Sequence, residues 1–498
     1  MVGVSCSIDK LPAEDANVVL IDASPTKNFF VEMLTRDIEL KDAILDLLDN
    51  CIDGIQRTTR EQNELANPYE GFWAKIRITG DSFKIEDNCG GIPYTVAENY
   101  AFRMGKPEDI NDDDDIFTIG TYGIGMKRAL FKMGRAAQVF SQTESDAFEV
   151  NITPDWLIRD NDWQLPLKQI EKVSEKTGTT IQISNLRDDV KSQFDSTAFQ
   201  SKLANEIEEI YSYIISKGFK VFINNVNIKP RPFALQWEGL EKLRNRDVES
   251  IAPYLYEAKK DDVEIELAVG FYRQLPEGEE IDDEESGKQR SRDSAGWTII
   301  CNDRVVVSHD KTRLTGWGEA GLPGYHAQFI AISGTVHFKS KDARKLPITT
   351  TKRGIDASSD LYLYVKDRMR EGLKVFTSYT NKWKRLPREE KQRAKFASPA
   401  MPAEMFDLAT DSEIDESQFE KEKSIWRAVK SKRFDVERRY IPNLPMPPKV
   451  SKNKRIIFSK PLQEIKEVSA YIFENPEHSA SEVGEACFVK ALEEAQDY

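Results

Sequence analysis

Residues 40–55, LKDAILDLLDNCIDGI, constrain the fold of this chain more than any other stretch. At about 100° per residue, an α-helix collects the apolar side chains of this stretch in one arc. Asp46, Asn50 and Asp53 are spaced i, i+4 and i+7, which places them together on the opposite face. A carboxylate one turn before an amide suits a general base beside a magnesium ligand. An ordinary amphipathic helix with a solvated acidic face has the same pattern, and the rest of the chain must separate the two.

The composition is that of a globular protein with a sizeable buried core. The chain has 498 residues, of which 40% are hydrophobic and 31% are charged, and this length suits roughly two to four domains. No apolar run approaches the ~20 residues of a membrane helix, and the first residues lack the pattern of a signal peptide. We therefore expect a cytoplasmic protein that does not contact a membrane. The five cysteines are scattered, which is typical of reduced thiols, and no Cys/His cluster indicates zinc.

Charge is distributed unevenly along the chain. The formal net charge is −14, which argues against indiscriminate binding to nucleic acid. Residues 366–395, however, carry eleven Lys or Arg against four acids, and residues 421–455 carry twelve against three. Such runs are often no more than solvated surface. They are also candidate DNA-binding segments, whose phosphate contacts would depend on salt and not on base sequence.

The pattern of residues 25–190 predicts helices laid over an antiparallel sheet, which is an α+β sandwich. The elements follow from the periodicity of the apolar residues and from turn signals such as Gly80-Asp81. They are a helix over 25–60, a β-hairpin over 73–87, a loop over 88–123, a helix over 124–134 and strands over 136–144, 147–153 and 179–186.

The second half of the chain predicts another α+β domain and then a less regular region. The elements are a helix over 200–217, strands over 220–230, 263–275, 296–308 and 327–338, an acidic insertion loop over 276–295 and a closing helix over 356–385. Beyond Leu386-Pro387 the composition changes to charged and proline-rich sequence, which is typical of a poorly packed linker. Residues 460–494 return to an amphipathic helical pattern that a partner protein could recognise.

Three further elements after the first helix carry chemistry. In IEDNCGGIP (85–93), Asp87 and the following glycines could accept a hydrogen bond from an exocyclic amine while the backbone approaches a ring. In GTYGIGMK (120–127), three glycines let backbone N–H groups converge on phosphate at a helix N-terminus. Thr179 stands at the start of a strand. Each element alone is also explained by an ordinary turn or cap.

In this order the four elements resemble the GHKL ATPases, the superfamily of gyrase-type topoisomerases, 90-kDa heat-shock chaperones, histidine kinases and MutL proteins. The resemblance implies an N-terminal Bergerat-type ATP-binding α/β sandwich that uses ATP and Mg²⁺. It assigns Asp46 as the catalytic base, Asn50 as the Mg²⁺ ligand and Asp87 as the adenine-reading aspartate. The implied ATP-binding residues are Asn50, Asp53, Asp87, Gly91, Ile92, Gly120, Tyr122, Gly123, Ile124, Gly125, Met126, Lys127 and Thr179.

The second domain contains a further match. KLPITTTKRGID (345–356) resembles the loop by which several family members send a basic residue to the γ-phosphate, and Lys352 fits that role best, with Arg353 in reserve. A lysine there would neutralise charge on the transferred phosphoryl group. GWTIICNDRVVVS (296–308) is similar to a strand of the S5-like transducer domain of MORC proteins. The chain is therefore placed nearest to MORC and related bacterial ATP-binding proteins.

Two positions depart from the family pattern. The base is usually glutamate, whereas Asp46 is one methylene shorter, so hydrolysis is expected to be slow or absent. The first glycine after the adenine-reading aspartate is Cys89, and the turn must adapt through Gly90.

The resemblance implies five segments. They are an N-terminal arm (1–24), a GHKL ATP-binding domain (25–200), an S5-like α+β transducer domain (201–386), a charged, proline-rich linker (387–459) and a partly irregular, helical tail (460–498).

The leading expectation is a Mg²⁺-dependent ATPase that acts as an ATP-gated homodimeric clamp, with DNA as a candidate client. The alternative is a nucleotide-sensing scaffold with little turnover, whose tail recruits a partner protein. A histidine kinase is disfavoured because no histidine precedes His309. A heat-shock chaperone fits less well, because the 90-kDa members are longer and have a different tail.

Overall fold

The computed structural model describes two units, Met1–Pro445 and Met446–Tyr498, which we treat separately. The described residues are 26–58, 67–103, 123–159, 162–173, 176–231, 233–236, 251–276, 281, 294–349, 352–384, 402–404, 426–430, 436–444, 456–457 and 459–496.

The chain begins, within these residues, with two helices rather than the single helix expected over 25–60. Helix α1 spans Lys27–Arg36 and α2 spans Leu40–Thr58. Thr26 caps α1 by accepting a hydrogen bond from the N–H of Phe29, and the backbone leaves the helical conformation at Asp37. Gly54 lies in the last turns of α2, four residues before its end at Thr58. A side chain there would overlap the Cys89 carbonyl, so glycine allows the close approach.

The first sheet has eight strands in the order β5-β4-β3-β6-β2-β1-β7-β8, and its pairs are antiparallel except β1 with β7. The strands are β1 Trp73–Ile78, β2 Phe83–Asp87, β3 Gly134–Gln142, β4 Ala147–Ile152, β5 Leu167–Gln169, β6 Gly178–Leu186, β7 Lys220–Ile223 and β8 Val226–Asn227. The helices that follow α2 in this region are α3 Tyr94–Val96, α4 Gly125–Met133, α5 Pro154–Ile158, α6 Asp188–Phe194, α7 Thr197–Ile210 and α8 Ser212–Ser216. A short π-helical segment, Ala97–Ala101, continues α3. Helix α2 packs on this sheet through side chains such as Ile44, Leu48 and Ile52, which are fully buried.

Two expectations around residue 200 are corrected. The helix predicted over 200–217 is divided into α7 and α8 at Tyr211. The segment 220–230 was assigned to the second domain, but it contains the hairpin β7–β8, and β7 pairs in parallel with β1 of the first sheet. Alternating apolar residues predict a strand without identifying its partner, so the sequence could not show this pairing.

The second large sheet has seven strands in the order β13-β12-β14-β11-β10-β17-β16. They are β10 Tyr254–Lys260, β11 Val263–Phe271, β12 Gly296–Cys301, β13 Arg304–Asp310, β14 Ile332–Lys339, β16 Trp426–Lys430 and β17 Val436–Pro442, and a separate pair joins β9 Ala234–Gln236 to β15 Pro402–Glu404. Helix α9, Asp360–Lys384, covers one face of the sheet with side chains such as Met369 and Phe376. The α+β class expected for both domains is thereby confirmed.

The second sheet differs from the expectation in two places. The strand predicted over 296–308 is the hairpin β12–β13, which turns at Asn302 and Asp303 with φ of 44° and 67°. Asn and Asp tolerate this left-handed backbone, which a two-residue hairpin turn requires. The predicted linker 387–459 supplies β17, which pairs with β10 and buries Tyr440. This part of the linker is packed structure, whereas the interior of the loop 276–295 lies outside the described residues apart from residue 281.

Within its described residues, the second unit contains the helices α10 Leu462–Phe473 and α11 Ala480–Gln496, which agrees with the helical tail expected there. Several large apolar side chains on them are exposed, including Leu462, Tyr471 and Phe488. None of the helices in the described part of the chain has the length and apolar character needed to span a bilayer.

Candidate functional site

Helix α2 presents the three polar residues of its predicted face with different exposure. Asn50 is exposed, Asp46 is partly buried and Asp53 is buried. Because Ile44 and Leu48 are fully buried on the other side, the rotation of the helix is fixed. An amide that can accept a ligand from solvent therefore stands one turn after a partly buried carboxylate.

Lys352 of the second-sheet domain reaches this face of α2. Its Nζ lies 2.8 Å from Oδ2 of Asp49 and 3.5 Å from Oδ1 of Asp46. Burial raises the pKa of Asp46 above its ordinary value, and the Lys352 ammonium offsets part of that rise. The structure thus brings the two predicted catalytic side chains, Asp46 and Lys352, together, although they are 306 positions apart in the sequence.

Asp49 was missed by the sequence analysis, yet it is the buried centre of this cluster. Its Oδ1 accepts hydrogen bonds from Nε of Arg304 at 2.9 Å and from the hydroxyl of Tyr211 at 2.7 Å. Burial alone would raise the pKa of Asp49, but Arg304 and Lys352 hold this pKa below the ordinary value. A second carboxylate directly before Asn50 was the available signal for Asp49. Nothing in the sequence identified its partners.

The neighbouring residue of the same loop makes a second bridge to the first domain. Arg353 forms ion pairs with Asp42 of α2 and with Glu206 of α7, the latter at 3.3 Å. Lys352 itself adopts a left-handed backbone with φ of 57°. This conformation is uncommon for lysine, and the contacts of the two side chains hold it.

Asp87 lies at the end of β2, behind α2. Its Oδ1 accepts hydrogen bonds from the backbone N–H of Cys89 at 2.8 Å and of Thr179 at 3.3 Å. Burial raises the pKa of Asp87 to about 6 despite these hydrogen bonds. The thiol of Cys51 lies 3.6 Å from Oδ2. Asp87, Thr179 and α2 are therefore adjacent.

The turn after Asp87 accommodates Cys89 in place of glycine. Gly90 and Gly91 have φ of 92° and 74°, which glycine adopts readily. A side chain at Gly91 would overlap the backbone oxygen of Gln142, so the chain passes close to β3 at this point. Cys89 itself is buried and needs no positive φ.

Ser141 is a further residue that the sequence analysis missed. Its hydroxyl accepts a hydrogen bond from the backbone N–H of Ile92 at 2.7 Å and lies 3.1 Å from the hydroxyl of Thr179. Ser141 is fully buried in β3, and it ties the glycine turn to the start of β6. The sequence did not distinguish this serine from the other polar residues of β3, such as Gln138 and Gln142.

The glycine-bearing segment 120–127 is described only from Gly123 onward, and Gly120 and Tyr122 lie outside the described residues. Gly123 has φ of 62°. Gly125 begins α4 directly against Asp46, because a Cβ there would lie 3.2 Å from the carboxyl carbon. Ile124 is half-buried before the helix and Met126 is buried inside it.

Lys127 is turned into the protein. Its Nζ donates hydrogen bonds to the backbone oxygens of Ala101, at 3.0 Å, and Gly123. Burial lowers the pKa of Lys127 to about 8. In this arrangement the lysine joins the start of α4 to the π-helical segment Ala97–Ala101.

The basic segment 366–395 is partly neutralised by the fold. Lys366 pairs with Glu319 at 2.8 Å, and Arg368 pairs with Glu371 at 3.1 Å. Lys374 is exposed on α9. The segment beyond residue 384 lies outside the described residues, as does most of 421–455.

A comparison with protein families finds a match within the first domain. Residues 38–185 match the family described as histidine kinase-, DNA gyrase B- and HSP90-like ATPase. The match supports the GHKL superfamily and ATP binding, and it covers Asp46, Asp87 and Thr179 but not Lys352. No curated protein matches the chain.

Proposed function

Since residues 38–185 match an ATPase family whose members bind and generally hydrolyse ATP, we propose that the chain is an ATP-gated, Mg²⁺-dependent ATPase. The observation that carries this proposal is the position of Lys352. A cation from the second-sheet domain stands between two carboxylates of the helix that bears the predicted base and the predicted Mg²⁺ ligand. Such a lysine can stabilise the negative charge of a transferred phosphoryl group.

The adenine end of the site is assigned to Asp87. Its carboxylate would accept the hydrogen bond of the exocyclic amine, while Gly91 lets the backbone approach the ring and Ile92 supplies apolar contact. Thr179 holds the carboxylate through its backbone N–H, and Ser141 holds both Ile92 and Thr179. A pocket with few polar groups at fixed positions is what ligand specificity requires.

The phosphate end is assigned to the start of α4 and to the exposed side of α2. Residues 120–126 would offer backbone N–H groups to the phosphates, and Lys127 would anchor this segment through its internal hydrogen bonds. Asn50 fits Mg²⁺, since its amide is exposed and Mg²⁺ commonly takes few protein ligands together with phosphate oxygens and water. When bound there, Mg²⁺ would neutralise phosphate charge. Asp53 would support this side of the site from its buried position.

Asp46 is assigned as the general base, because its pKa is raised and the start of α4 lies against its carboxyl group. A base with a pKa nearer to neutrality removes a proton from water more effectively than an ordinary aspartate. The aspartate is nevertheless shorter than the usual glutamate, and slow turnover is part of the proposal.

The proposal extends to a homodimeric clamp of the MORC-like kind with a cytoplasmic location. Free thiols at Cys51, Cys89 and Cys301 suit a reducing compartment. DNA is the proposed client through 366–395 and 421–455. The ion pairs of Lys366 and Arg368 reduce the charge available for this role.

A second candidate function is a nucleotide-sensing scaffold with little turnover. The exposed apolar side chains of α10 and α11, such as Tyr471 and Phe488, favour it because they could receive a partner protein. The two functions share the ATP site and differ in hydrolysis.

The decisive test is gel filtration of the full chain with and without a non-hydrolysable ATP analogue, repeated with plasmid DNA. The clamp predicts a dimer that forms with the analogue and not with ADP, and that retains DNA at low salt. A chain that binds the analogue but stays monomeric and free of DNA supports the scaffold. A chain that binds no nucleotide contradicts both functions.

Asp87 gives the proposal a defined pH dependence. Because its pKa is about 6, only about a tenth of the carboxylate is ionised at pH 5, and ATP affinity should be about tenfold weaker there than at pH 7.5. Asp87→Asn should bind ATP weakly at both pH values. Titration of the full chain with a fluorescent ATP analogue measures this.

The raised pKa of Asp87 also affects stability, but in the opposite direction: ATP affinity should rise with pH, whereas the free energy of unfolding should fall. The folded-state pKa of Asp87 lies above the ordinary value of 3.8, so ionisation destabilises the fold as pH rises through that interval. Asp87→Asn should therefore raise the melting temperature at pH 7.5. Glu86→Gln, one residue earlier on β2, is the control and should change neither property. An affinity that does not vary between pH 5 and 7.5 would contradict the assignment.

A further inference from the structure

Asp49 and Arg304 form a buried ion pair that the proposed function does not yet use. Their side chains are 1% and 3% exposed, so both are removed from water. They belong to different domains, Asp49 to α2 and Arg304 to the start of β13. A buried pair of this kind needs complete hydrogen bonding to be tolerated, and Tyr211 supplies one of the additional bonds.

The pair holds Lys352 at two points. Nη1 of Arg304 donates a hydrogen bond to the backbone oxygen of Lys352. Oδ2 of Asp49 accepts from Nζ of the same residue at 2.8 Å. Main chain and side chain of Lys352 are therefore fixed by two groups that are bonded to each other, which forms a closed circuit of contacts.

The backbone that carries Arg304 is itself held in place by hydrogen bonds. It follows the β12–β13 turn, in which the Asn302 side chain donates to the Ser340 backbone oxygen at 2.9 Å and accepts from its N–H at 2.9 Å. Oδ1 of the next turn residue, Asp303, lies 2.9 Å from Nε2 of His337, and its other carboxylate oxygen contacts Tyr69 of the first domain. These contacts tie the turn that carries Arg304 to the end of β14 and to the first domain.

We infer that Asp49 and Arg304 are positioning residues, which place the Lys352 ammonium where a terminal phosphate arrives and thereby set a preference for nucleoside triphosphate over diphosphate. The inference rests on the proposed function. An ammonium held in place before the ligand binds loses little freedom on contact, so its interaction with a γ-phosphate is strengthened. A nucleoside diphosphate lacks the phosphate that Lys352 would contact, so its affinity should not depend on Asp49 or Arg304.

A merely structural pair would join the two domains without affecting this preference. The two roles are separated by coupling to Lys352. If Asp49 and Arg304 act through Lys352, removing either should have no further effect on triphosphate preference once Lys352 is gone. If the substitutions instead act independently of Lys352, their fold-losses of triphosphate preference should multiply in the double variants.

The experiment compares the dissociation constants of a non-hydrolysable ATP analogue and of ADP for the full chain. The variants are Asp49→Asn, Arg304→Gln, Lys352→Met and the two doubles with Lys352→Met. Each single variant should lower the ATP-to-ADP preference by about tenfold, which is the size of one charge-assisted hydrogen bond, with ADP affinity within about twofold of wild type. The doubles should match Lys352→Met alone.

Arg439→Gln is the matched control, because Arg439 of β17 makes an ion pair with Glu371 of α9 at 3.1 Å, away from the Lys352 contacts. It should keep the wild-type preference even if the melting temperature falls. Arg304→Lys retains the charge with fewer donors and should recover part of the preference lost in Arg304→Gln.

Three outcomes would overturn the inference. They are a preference unchanged in Asp49→Asn and Arg304→Gln, a preference that rises in them, and losses that multiply in the doubles. Failure of the wild-type chain to bind either nucleotide is a different result, which overturns the proposed function and this inference with it.

Discussion

Replacing Lys352 by methionine should lower ATP hydrolysis by about a hundredfold to a thousandfold, the usual effect of removing one group that stabilises a developing negative charge. Methionine keeps most of the length and packing of lysine but has no charge. ADP binding should be nearly unchanged, because the side chain is assigned to the γ-phosphate alone. Phosphate release at saturating ATP, together with ADP titration, measures both effects.

The same substitution leaves Asp46 and Asp49 facing each other without the cation between them. Asp49 keeps its bonds to Arg304 and Tyr211, so the protein should still fold, with a lower unfolding free energy. Lys345→Met is the control, since Lys345 lies in the same segment, is exposed and pairs with Asp262. Turnover in Lys352→Met within about threefold of wild type would contradict the role of Lys352.

Asp46→Asn should lower hydrolysis by at least about a hundredfold while ATP binding is retained, because general-base catalysis contributes 10² to 10⁴ in rate. Asparagine keeps the size of the side chain and cannot accept the proton of water. Asp46→Glu, in contrast to Asp46→Asn, keeps a carboxylate at this position and should retain turnover. Because the pKa of Asp46 is raised, wild-type activity should fall on the acid side at a pH above the ordinary 3.8 of aspartate.

Asp42→Asn provides the control for this series, since Asp42 lies one turn earlier on α2 and pairs with Arg353. It should retain hydrolysis. If Asp46→Asn turns over as fast as wild type, Asp46 is not the base. If the wild-type chain binds ATP but shows no turnover at all, the scaffold function gains support.

The local features of the site could be read from the sequence, because each depends on neighbours along the chain. The polar face of α2 follows from the helical spacing of its residues. The turn after Asp87 follows from its two glycines, because glycine is the residue that adopts positive φ most readily. The start of α4 at Gly125 follows in the same way. The alternation of apolar residues likewise gave most strands of both sheets.

The features that the sequence did not reveal depend on partners far apart in the chain. Arg304 lies inside the strand predicted over 296–308 and had no predicted role, yet the structure buries it against Asp49. The strand β7 was assigned to the wrong sheet, and β17 was taken as linker, because pairing depends on the tertiary fold. Charge along 366–395 suggested a free basic surface, although Glu319 and Glu371 neutralise part of it.

The pairing of Asp42, Asp46 and Asp49 with basic residues of the second domain has a consequence for how this chain can diverge or be shortened. The family match ends at residue 185, whereas the cations that compensate these carboxylates stand at 304, 352 and 353. A fragment limited to the matched residues would carry these carboxylates without their counter-charges, so repulsion among them should lower its unfolding free energy at neutral pH more than at acidic pH. In descendants of this sequence, a neutral residue at position 49 should be accompanied by the loss of a cation at 304 or 352, because an unpaired buried charge is strongly destabilising.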